Sequence, residues 1–375
     1  MKQKILSFVK KELVLCIAAV CALLSMLLCP PSKDYLGYID FRTLCLLFCL
    51  MAVVAGVQAC GLFDLLAYKL LSGKKSMGVL CLTLTLLPFF CAMLITNDVA
   101  LLTFVPFTVL VLKLLGQQEK LVPVLVLQTV AANLGSMATP VGNPQNLFLY
   151  SCFDLAMGDF LAVTLPLTAV SLIGVGAAAF LTRGDSTDVL LKAPAPVDRK
   201  KLLLFAALFV LCLLSVLRVL NYWILLIIVC CAMLIFARKL FRKVDYCLLL
   251  TFVCFFIFAG NLGASDAVRG FLTKLMGRQP LLASLAASQI ISNVPAAVLL
   301  SGFTENWRAL LAGTDIGGLG TPIASLASLI TLKLYLRTEN ASAGKFMPRF
   351  LLVNVIGLAV LLAAAWLLVP GVFGA

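Results

Sequence analysis

The sequence of 375 residues has no histidine and only 16 acidic residues, and 12% of its residues are charged. Without histidine the usual general base, the commonest metal ligand and the histidine proton relay are all missing, so proton chemistry has to run through carboxylates. The low charge excludes an ordinary soluble domain, where about a quarter of residues are charged and about half are apolar. Here 63% are hydrophobic. There are 14 cysteines but no CxxC pair. Most of them (Cys16, Cys21, Cys45, Cys49, Cys81, Cys91, Cys230, Cys231, Cys254) stand in apolar runs. A free thiol there packs as a small hydrophobe, so neither a disulfide framework nor a metal cluster is expected. The net charge of +13 falls in loops between apolar runs, as the positive-inside rule sets it. No basic face with stacking aromatics is present, so nucleic acid is not a partner.

What the sequence has is apolar runs of roughly 18 residues or more, repeated along its length, the signal of many transmembrane helices. The fold class expected is an all-α integral membrane protein with roughly nine full spans plus two re-entrant hairpins. The basic start "MKQKILSFVKKE" places the N-terminus in the cytoplasm. The spans then put the C-terminus outside, in a plasma (inner) membrane. Residues 1–182 hold a hairpin at about 77–115, broken at "TND", and a broken helix at about 121–152. The polar stretch 183–200 reads as a cytoplasmic linker. Residues 201–375 hold a linking helix, a second hairpin at about 280–303, broken at "SNVP", and a second broken helix at about 308–334. The segments "GLFDLLAYKLLSGKKS" and "SDAVRGFLTKLMGRQP" read as amphipathic interfacial helices.

The two parts match in order: helix, helix, amphipathic segment, broken hairpin, broken helix, helix. "NLGSMATPVGNPQN" aligns without gaps on "DIGGLGTPIASLAS", pairing Gly135 with Gly317, Thr139 with Thr321 and Pro140 with Pro322. The "AG" at 55–56 pairs with that at 259–260, and Gly73 with Gly277. The charge rule gives the parts opposite orientation. Inverted repeats with paired interrupted helices mark secondary transporters, whose site lies at the repeat interface.

Unwound backbone survives in a bilayer only where protein or water covers it. Four breaks in matched pairs therefore imply a shared polar cavity. The first tip supplies Thr96, Asn97 and Asp98. "TND" would also serve as a plain helix cap, but a carboxylate between apolar flanks is costly and by default functional, binding a cation or carrying a coupling proton. The first broken helix supplies Thr139, Gly142, Asn143 and Asn146. The bland alternative is a proline kink at Pro140 and Pro144, which needs neither asparagine. The second part supplies Ser292, Asn293, Thr321 and Ser325, with Ser328 nearby and Asp315 before the break. Serines in membrane helices often bond their own backbone instead. No arginine or lysine cluster accompanies these residues. An anion would be held by amides, hydroxyls, helix ends and co-bound cations, which makes Na⁺ coupling attractive. The same lack of fixed positive charge permits a neutral substrate or a pure cation antiporter. A channel is a rival, and an enzyme, without histidine or a Ser/Lys or paired-Asp arrangement, ranks last. No cofactor is expected beyond Na⁺ or H⁺ as coupling ion.

At these residues the chain resembles the ion transporter superfamily of divalent anion–sodium symporters, citrate-type permeases, arsenite permeases and D-type sodium–proton antiporters. "GSMATPVGNPQN" is similar to the dicarboxylate symporters' Gly-Gly-x-x-Thr-x-Ile-Gly-Thr-Pro-Pro-Asn. "TNDVALLTFVP" and "GTDIGGLGTPIASLASLITL" are closer to the arsenite-permease branch. The resemblance implies a half-site for cation and substrate at Asn97, Gly142 and Asn143, and a pseudo-symmetric one at Asn293 and Thr321. Asn97, Gly142, Asn293 and Thr321 are then the Na⁺ candidates. It also implies a scaffold-plus-elevator architecture, a homodimer and a small-anion substrate. The chain departs from the symporters' Ser-Asn-Thr tips, reading Thr-Asn-Asp and Ser-Asn-Val, and has Asn143 where their motif has threonine.

Overall fold

The structure, a computed structural model, describes residues 12–27, 29–33, 35–182, 187–189, 191 and 193–373. The basic segment expected in the cytoplasm lies almost wholly outside them, as does part of the linker. The chain is predominantly helical. It opens with α1 (Leu13–Ser25), the single turn α2 (Tyr35–Tyr38), α3 (Phe41–Ala59) and the amphipathic α4 (Leu62–Leu71). The strand β1 (Gly73–Lys75) leads to α5 (Met77–Cys91), α6 (Asn97–Leu114), α7 (Leu121–Ser136), α8 (Pro144–Cys152) and α9 (Met157–Phe180). After β2 (Thr187–Val189) come α10 (Arg199–Val216), α11 (Tyr222–Phe236), α12 (Tyr246–Ala264) and the amphipathic α13 (Asp266–Arg278). The last elements are α14 (Pro280–Ile291), α15 (Asn293–Ser301), α16 (Trp307–Ile316), α17 (Leu326–Tyr335) and α18 (Ala343–Leu368).

Local chemistry sets many of these starts. A side-chain oxygen one residue ahead of the helix takes an orphan first-turn N–H. Asp40 does this for Thr43 (3.0 Å), Ser76 for Val79 (3.3 Å), Asp245 for Leu248 (2.9 Å) and Asn306 for Ala309 (3.0 Å).

Five helices among the described residues are long and apolar enough to cross a bilayer: α3, α6, α9, α12 and α18. Shorter apolar helices include α5, α11, α14 and α17. Leu203, Ile227, Ile235, Ile290, Trp366 and Leu367 point outward and are largely exposed. On a soluble protein such a belt would be an aggregation liability; on a multi-pass membrane protein it faces lipid. Of the expected hairpin arms, α6 at 18 residues has the length of a span, whereas α15 has nine.

One difference from the all-helical expectation lies at the linker. Thr187–Val189 pairs antiparallel with Gly73–Lys75, Lys74 opposite Asp188, so the linker is tied back to the end of α4. Of the glycine pairs, Gly56 and Gly260 share a role. A Cβ on either would lie 2.3–2.4 Å from a ring, that of Phe205 or Tyr38, so each lets an aromatic ring lie against its helix. Gly73 and Gly277 share nothing: Gly73 has φ +92°, and Gly277 lies inside α13 with open space around it.

The breaks are placed by packing. α7 is buried along most of its length and packs on α5, α6 and α9; α16 packs on α14 and α15. α6 meets α17 and α8 meets α15, so interrupted elements of one part touch those of the other. Gln128 holds α7 in register: its Nε2 donates to Leu84 O (2.9 Å) and its Oε1 accepts from Thr108 Oγ1 (3.1 Å).

Candidate functional site

The first hairpin turns through residues 92–96, and the first broken helix unwinds at 137–143 between α7 and α8. The second hairpin turns at the single residue Ser292, and the second broken helix unwinds at 317–325. Each hairpin tip is bonded to the break of its own part. The Asn97 N–H donates to Gly142 O (3.2 Å), and the Asn293 N–H donates to Ala324 O (3.0 Å). Thr139 Oγ1 donates to Met93 O (2.5 Å), and Thr321 Oγ1 donates to Gln289 O (3.0 Å). Asn97 Oδ1 accepts from the Asp98 N–H, and Asn293 Oδ1 from the Val294 N–H, both at 2.9 Å. In the gap-free alignment Gly142 stands on Ala324 and Thr139 on Thr321. Met93 and Gln289 each stand four residues ahead of their tip asparagine. The same three bonds therefore recur at equivalent positions.

A second set runs between the parts, and it too is reciprocal. Asn133 Oδ1 in the last turn of α7 accepts from Asn97 Nδ2 (2.9 Å) and from Ser325 Oγ of the second break (3.0 Å). Asp315, which aligns with Asn133, sits in the last turn of α16. Its Oδ1 accepts from Asn143 Nδ2 (3.4 Å), and Asn143 aligns with Ser325. Gln145 Nε2 adds a further bond to the same oxygen at 3.5 Å. Each break thus reaches across to the helix end before the other break. All of these side chains are buried.

Asn143 has three tasks. Its Oδ1 caps α8 by accepting the Asn146 N–H (2.9 Å), and its Nδ2 serves both Ser136 Oγ (3.2 Å) and Asp315. Asn146 Nδ2 ties down Met137 O (3.2 Å), a carbonyl released by the break. Gly142 is needed for close approach of backbone rather than for unusual dihedrals. A Cβ there would lie 2.1 Å from Ser136 O and 2.8 Å from Ala92 O, and its φ is not positive. Ser292 carries the strain instead. It is buried at φ +75°, ψ 155°, a region that is essentially glycine's own.

The structure thus brings Asn97, Gly142, Asn143, Asn146 and Ser325 into one connected cluster, with Ser292, Asn293 and Thr321 in the equivalent tip-to-break contact. Thr139 joins its own tip to its own break. Thr96 and Asp98 stand apart. Thr96 makes no side-chain cap and lines a small apolar cleft with Leu50, Val54 and Val141. Asp98 is half-buried, and its carboxylate accepts no hydrogen bond among the described residues. Ser328, offered as a possible backbone binder, has an unpartnered hydroxyl.

Sequence reasoning passed over Asn133, Ser136, Gln145 and Gln289. Gln289 staples the second break: Nε2 donates to Gly317 O (2.8 Å) and Leu319 O (2.9 Å), and Oε1 accepts the Thr321 N–H (2.8 Å). An uncharged amide inside an apolar run was the available signal for Gln289, whereas Gln145 stands between Pro144 and Asn146 in the broken stretch itself.

The chemistry on offer is amide, hydroxyl and backbone. α6, α8, α15 and α17 all begin in this region, and helix N-termini carry partial positive charge suited to an anion. No lysine or arginine belongs to the cluster, and no group of three or more Cys, Asp or Glu able to hold a metal exists among the described residues. Oxygens that could serve a hard cation are those of Asn97, Gly142, Asn293 and Thr321, each already holding at least one hydrogen bond.

Comparison with known proteins agrees with the resemblance drawn from the motifs. The family model described as citrate transporter matches residues 3–306. An uncharacterised transporter of Methanocaldococcus jannaschii is 33% identical over 329 residues, covering 87% of this chain and 90% of its own length. The inner membrane protein YbiR of Escherichia coli is 28% identical over 309 residues, 80% of this chain and 82% of that one. A 46 kDa membrane protein of Mycobacterium leprae is 26% identical over 375 residues, 88% of this chain and 86% of that one.

Proposed function

The chain belongs to the citrate transporter family, and on that premise we propose that it is a secondary active transporter of a small anion, a carboxylate or an inorganic oxyanion, coupled to Na⁺ or H⁺. The observation that carries this reading is the reciprocal pair of cross-part bonds, Ser325 to Asn133 and Asn143 to Asp315. Two breaks that each anchor on the other part form one pseudo-symmetric polar centre, the arrangement expected of an inverted-repeat transporter. Helix N-termini and amides would hold the anion, first on the Asn143 side, where the amides are denser. Asn97, Gly142, Asn293 and Thr321 would supply oxygens to a coupling cation. The hairpins and broken helices would move together as an elevator against a scaffold that includes α3 and α10–α12, within a homodimer in the plasma membrane. On the charge rule, the N-terminus is cytoplasmic and the C-terminus outside.

The test is uptake by proteoliposomes of the full chain under an imposed Na⁺ or H⁺ gradient. Citrate is the first probe, and dicarboxylates, phosphate and arsenite follow. Gradient-dependent, saturable uptake of one of these anions is the expected result. Cation exchange without anion flux would overturn the anion reading in favour of an antiporter. Non-saturable flux would favour a channel.

A further inference from the structure

Four helices begin in the polar centre, and at three of them a side-chain oxygen accepts a first-turn N–H. Asn97 Oδ1 accepts from Asp98 in α6, Asn143 Oδ1 from Asn146 in α8 and Asn293 Oδ1 from Val294 in α15, each at 2.9 Å. α17 is the exception. Its N-cap residue Ser325 makes no side-chain cap, because its Oγ donates to Asn133 Oδ1 instead. The Ser328 N–H bonds Ser325 O at 3.1 Å, while the N–H groups of Leu326 and Ala327 meet no acceptor among the described residues.

Two buried side-chain atoms at that helix end also lack partners among the described residues. They are Asn133 Nδ2 and Ser328 Oγ, on residues that are 8% and 1% exposed. The Asn133 amide cannot be turned round. Asn97 Oδ1 is held by the Asp98 N–H, so Asn97 presents Nδ2, and Asn133 has to meet it with Oδ1. Oxygen and nitrogen of one amide lie about 2.3 Å apart. Ser325 Oγ stands 3.0 Å from Asn133 Oδ1, so Asn133 Nδ2 lies within about 5.3 Å of the N-cap hydroxyl. Ser328 is the third residue of the same first turn, where a side chain can reach back to the N-cap residue.

Two backbone N–H groups, an amide nitrogen and a hydroxyl therefore gather at the start of α17, and all four can donate. The three nitrogens offer a cation no lone pair. A buried donor without an acceptor costs about 1–3 kcal/mol, and the helix end adds partial positive charge. An anion's oxygen answers both. The Asn143 side has more amides, but their side-chain donors are engaged. Asn143 Nδ2 serves Ser136 and Asp315, Gln145 Nε2 serves Asp315, and Asn146 Nδ2 serves Met137 O. The unpartnered atom there, Asn146 Oδ1, is an acceptor.

We propose that one oxyanion group of the transported anion, a carboxylate or its phosphate counterpart, binds at the start of α17. It accepts from Asn133 Nδ2, from Ser328 Oγ and from the N–H groups of Leu326 and Ala327. The anion's oxygen takes there the place that an asparagine oxygen takes at α6, α8 and α15. The inference rests on the transporter reading above, and adds to the Asn143 side a contact on the Ser325 side of the centre. Asn133 then has two roles in one amide. Its oxygen joins a hairpin tip to the opposite break, and its nitrogen holds the substrate.

The test is gradient-driven uptake by proteoliposomes of the full chain, read as KM and kcat, beside the thermal midpoint of the ligand-free protein in detergent. Citrate is the first probe, followed by succinate and phosphate. Ser328→Ala removes a hydroxyl that bonds nothing among the described residues. Its midpoint should stay at the wild-type value while KM rises about tenfold or more, as expected for a lost hydrogen bond to a charged group. Asn133→Asp keeps the acceptor for Asn97 and Ser325 but sets a carboxyl against the anion, so its KM should rise further. Thr85→Val is the control. It removes another buried, unpartnered hydroxyl, on α5, and should leave KM unchanged. Saturable wild-type uptake with unchanged KM in both Ser328→Ala and Asn133→Asp would overturn this inference alone. A lowered midpoint with unchanged KM in Ser328→Ala would assign the hydroxyl to a structural water and overturn it equally. No uptake of any of the three probes by wild type would overturn the anion reading, and this site with it.

Discussion

Gly142→Ala is the sharpest test of the first break. The added methyl would stand 2.1 Å from Ser136 O and 2.8 Å from both Ser136 C and Ala92 O. All three are backbone atoms, so no side chain can rotate away. Forcing a methyl into a packed interior costs about 1–3 kcal/mol when the surroundings yield. Here yielding means separating residue 142 from the hairpin turn at Ala92, which also strains the Asn97 N–H to Gly142 O bond (3.2 Å), worth about 1 kcal/mol. The expected loss is about 2–4 kcal/mol, accompanied by loss of transport because the tip and the break part company. The equivalent position in the second part is Ala324, whose carbonyl bonds Asn293 at 3.0 Å, so the constraint comes from the local crossing and not from the hydrogen bond as such. The assay is thermal unfolding in detergent, alongside Gly174→Ala. Gly174 lies in α9, where an added methyl would meet nothing within 4 Å, and its alanine variant should be neutral or slightly stabilised. A Gly142→Ala protein as stable as Gly174→Ala would refute the claim that this glycine is required by backbone contact.

Further expectations concern the cross-part bonds and the strained tip. Asn133→Leu leaves Asn97 Nδ2 and Ser325 Oγ without their shared acceptor, at about 1–3 kcal/mol for each buried group. Asn133→Asp keeps the acceptor and should unfold later than Asn133→Leu. Gln289→Leu orphans two carbonyls and one N–H at the second break and should lower thermal stability by about 3 kcal/mol or more. A shift below about 1 kcal/mol would mean that the loop is held by other contacts. Ser292→Gly and Ser292→Ala both lose the hydroxyl bond to Ala324 O, but only glycine relieves the positive φ. Ser292→Gly should therefore be the more stable of the two by about 1–3 kcal/mol. Outside the membrane, Asp198 is held below the ordinary carboxylate range by its side-chain and backbone hydrogen bonds to Lys201. Its contribution to the start of α10 is present above the unfolded carboxylate value of about 3.9 and is lost as pH falls through the lower folded value. Amide exchange at Lys201, corrected for its intrinsic rate and compared with Asp198→Asn, should lose protection over that acid range.

The helix breaks were legible in the sequence because their cause is local. Proline, glycine and asparagine inside an apolar run leave backbone groups that a helix cannot hold. The register between the two broken helices was legible as well, through the shared Thr-Pro, and the bonds of Thr139 and Thr321 fall at matching places. What the sequence did not disclose was partnership. That Asn133 serves Ser325, and Asp315 serves Asn143, depends on two breaks lying side by side, and no periodicity encodes that. Gln289 was passed over for a related reason: its three bonds close a loop some thirty residues downstream. Counting spans from apolar runs gave roughly nine, whereas five continuous helices among the described residues are both long and apolar enough to cross a bilayer. Two of the expected spans, 121–152 and 308–334, are divided by the breaks into shorter helices, so that run length and helix length diverge there.

The asymmetry between the parts has a physical consequence. Asn133 and Asp315 occupy equivalent places, yet one is an amide and the other a carboxyl. Asn133 Oδ1 takes one donor from each part, Asn97 Nδ2 and Ser325 Oγ. Asp315 Oδ1 takes two amides of the first part, Asn143 Nδ2 and Gln145 Nε2. The amide therefore ties its own hairpin tip and the opposite break together at one atom, whereas the carboxyl gathers only the start of α8. The two half-sites match in place and differ in chemistry, so equivalent substitutions at Asn133 and Asp315 should not have equal effects.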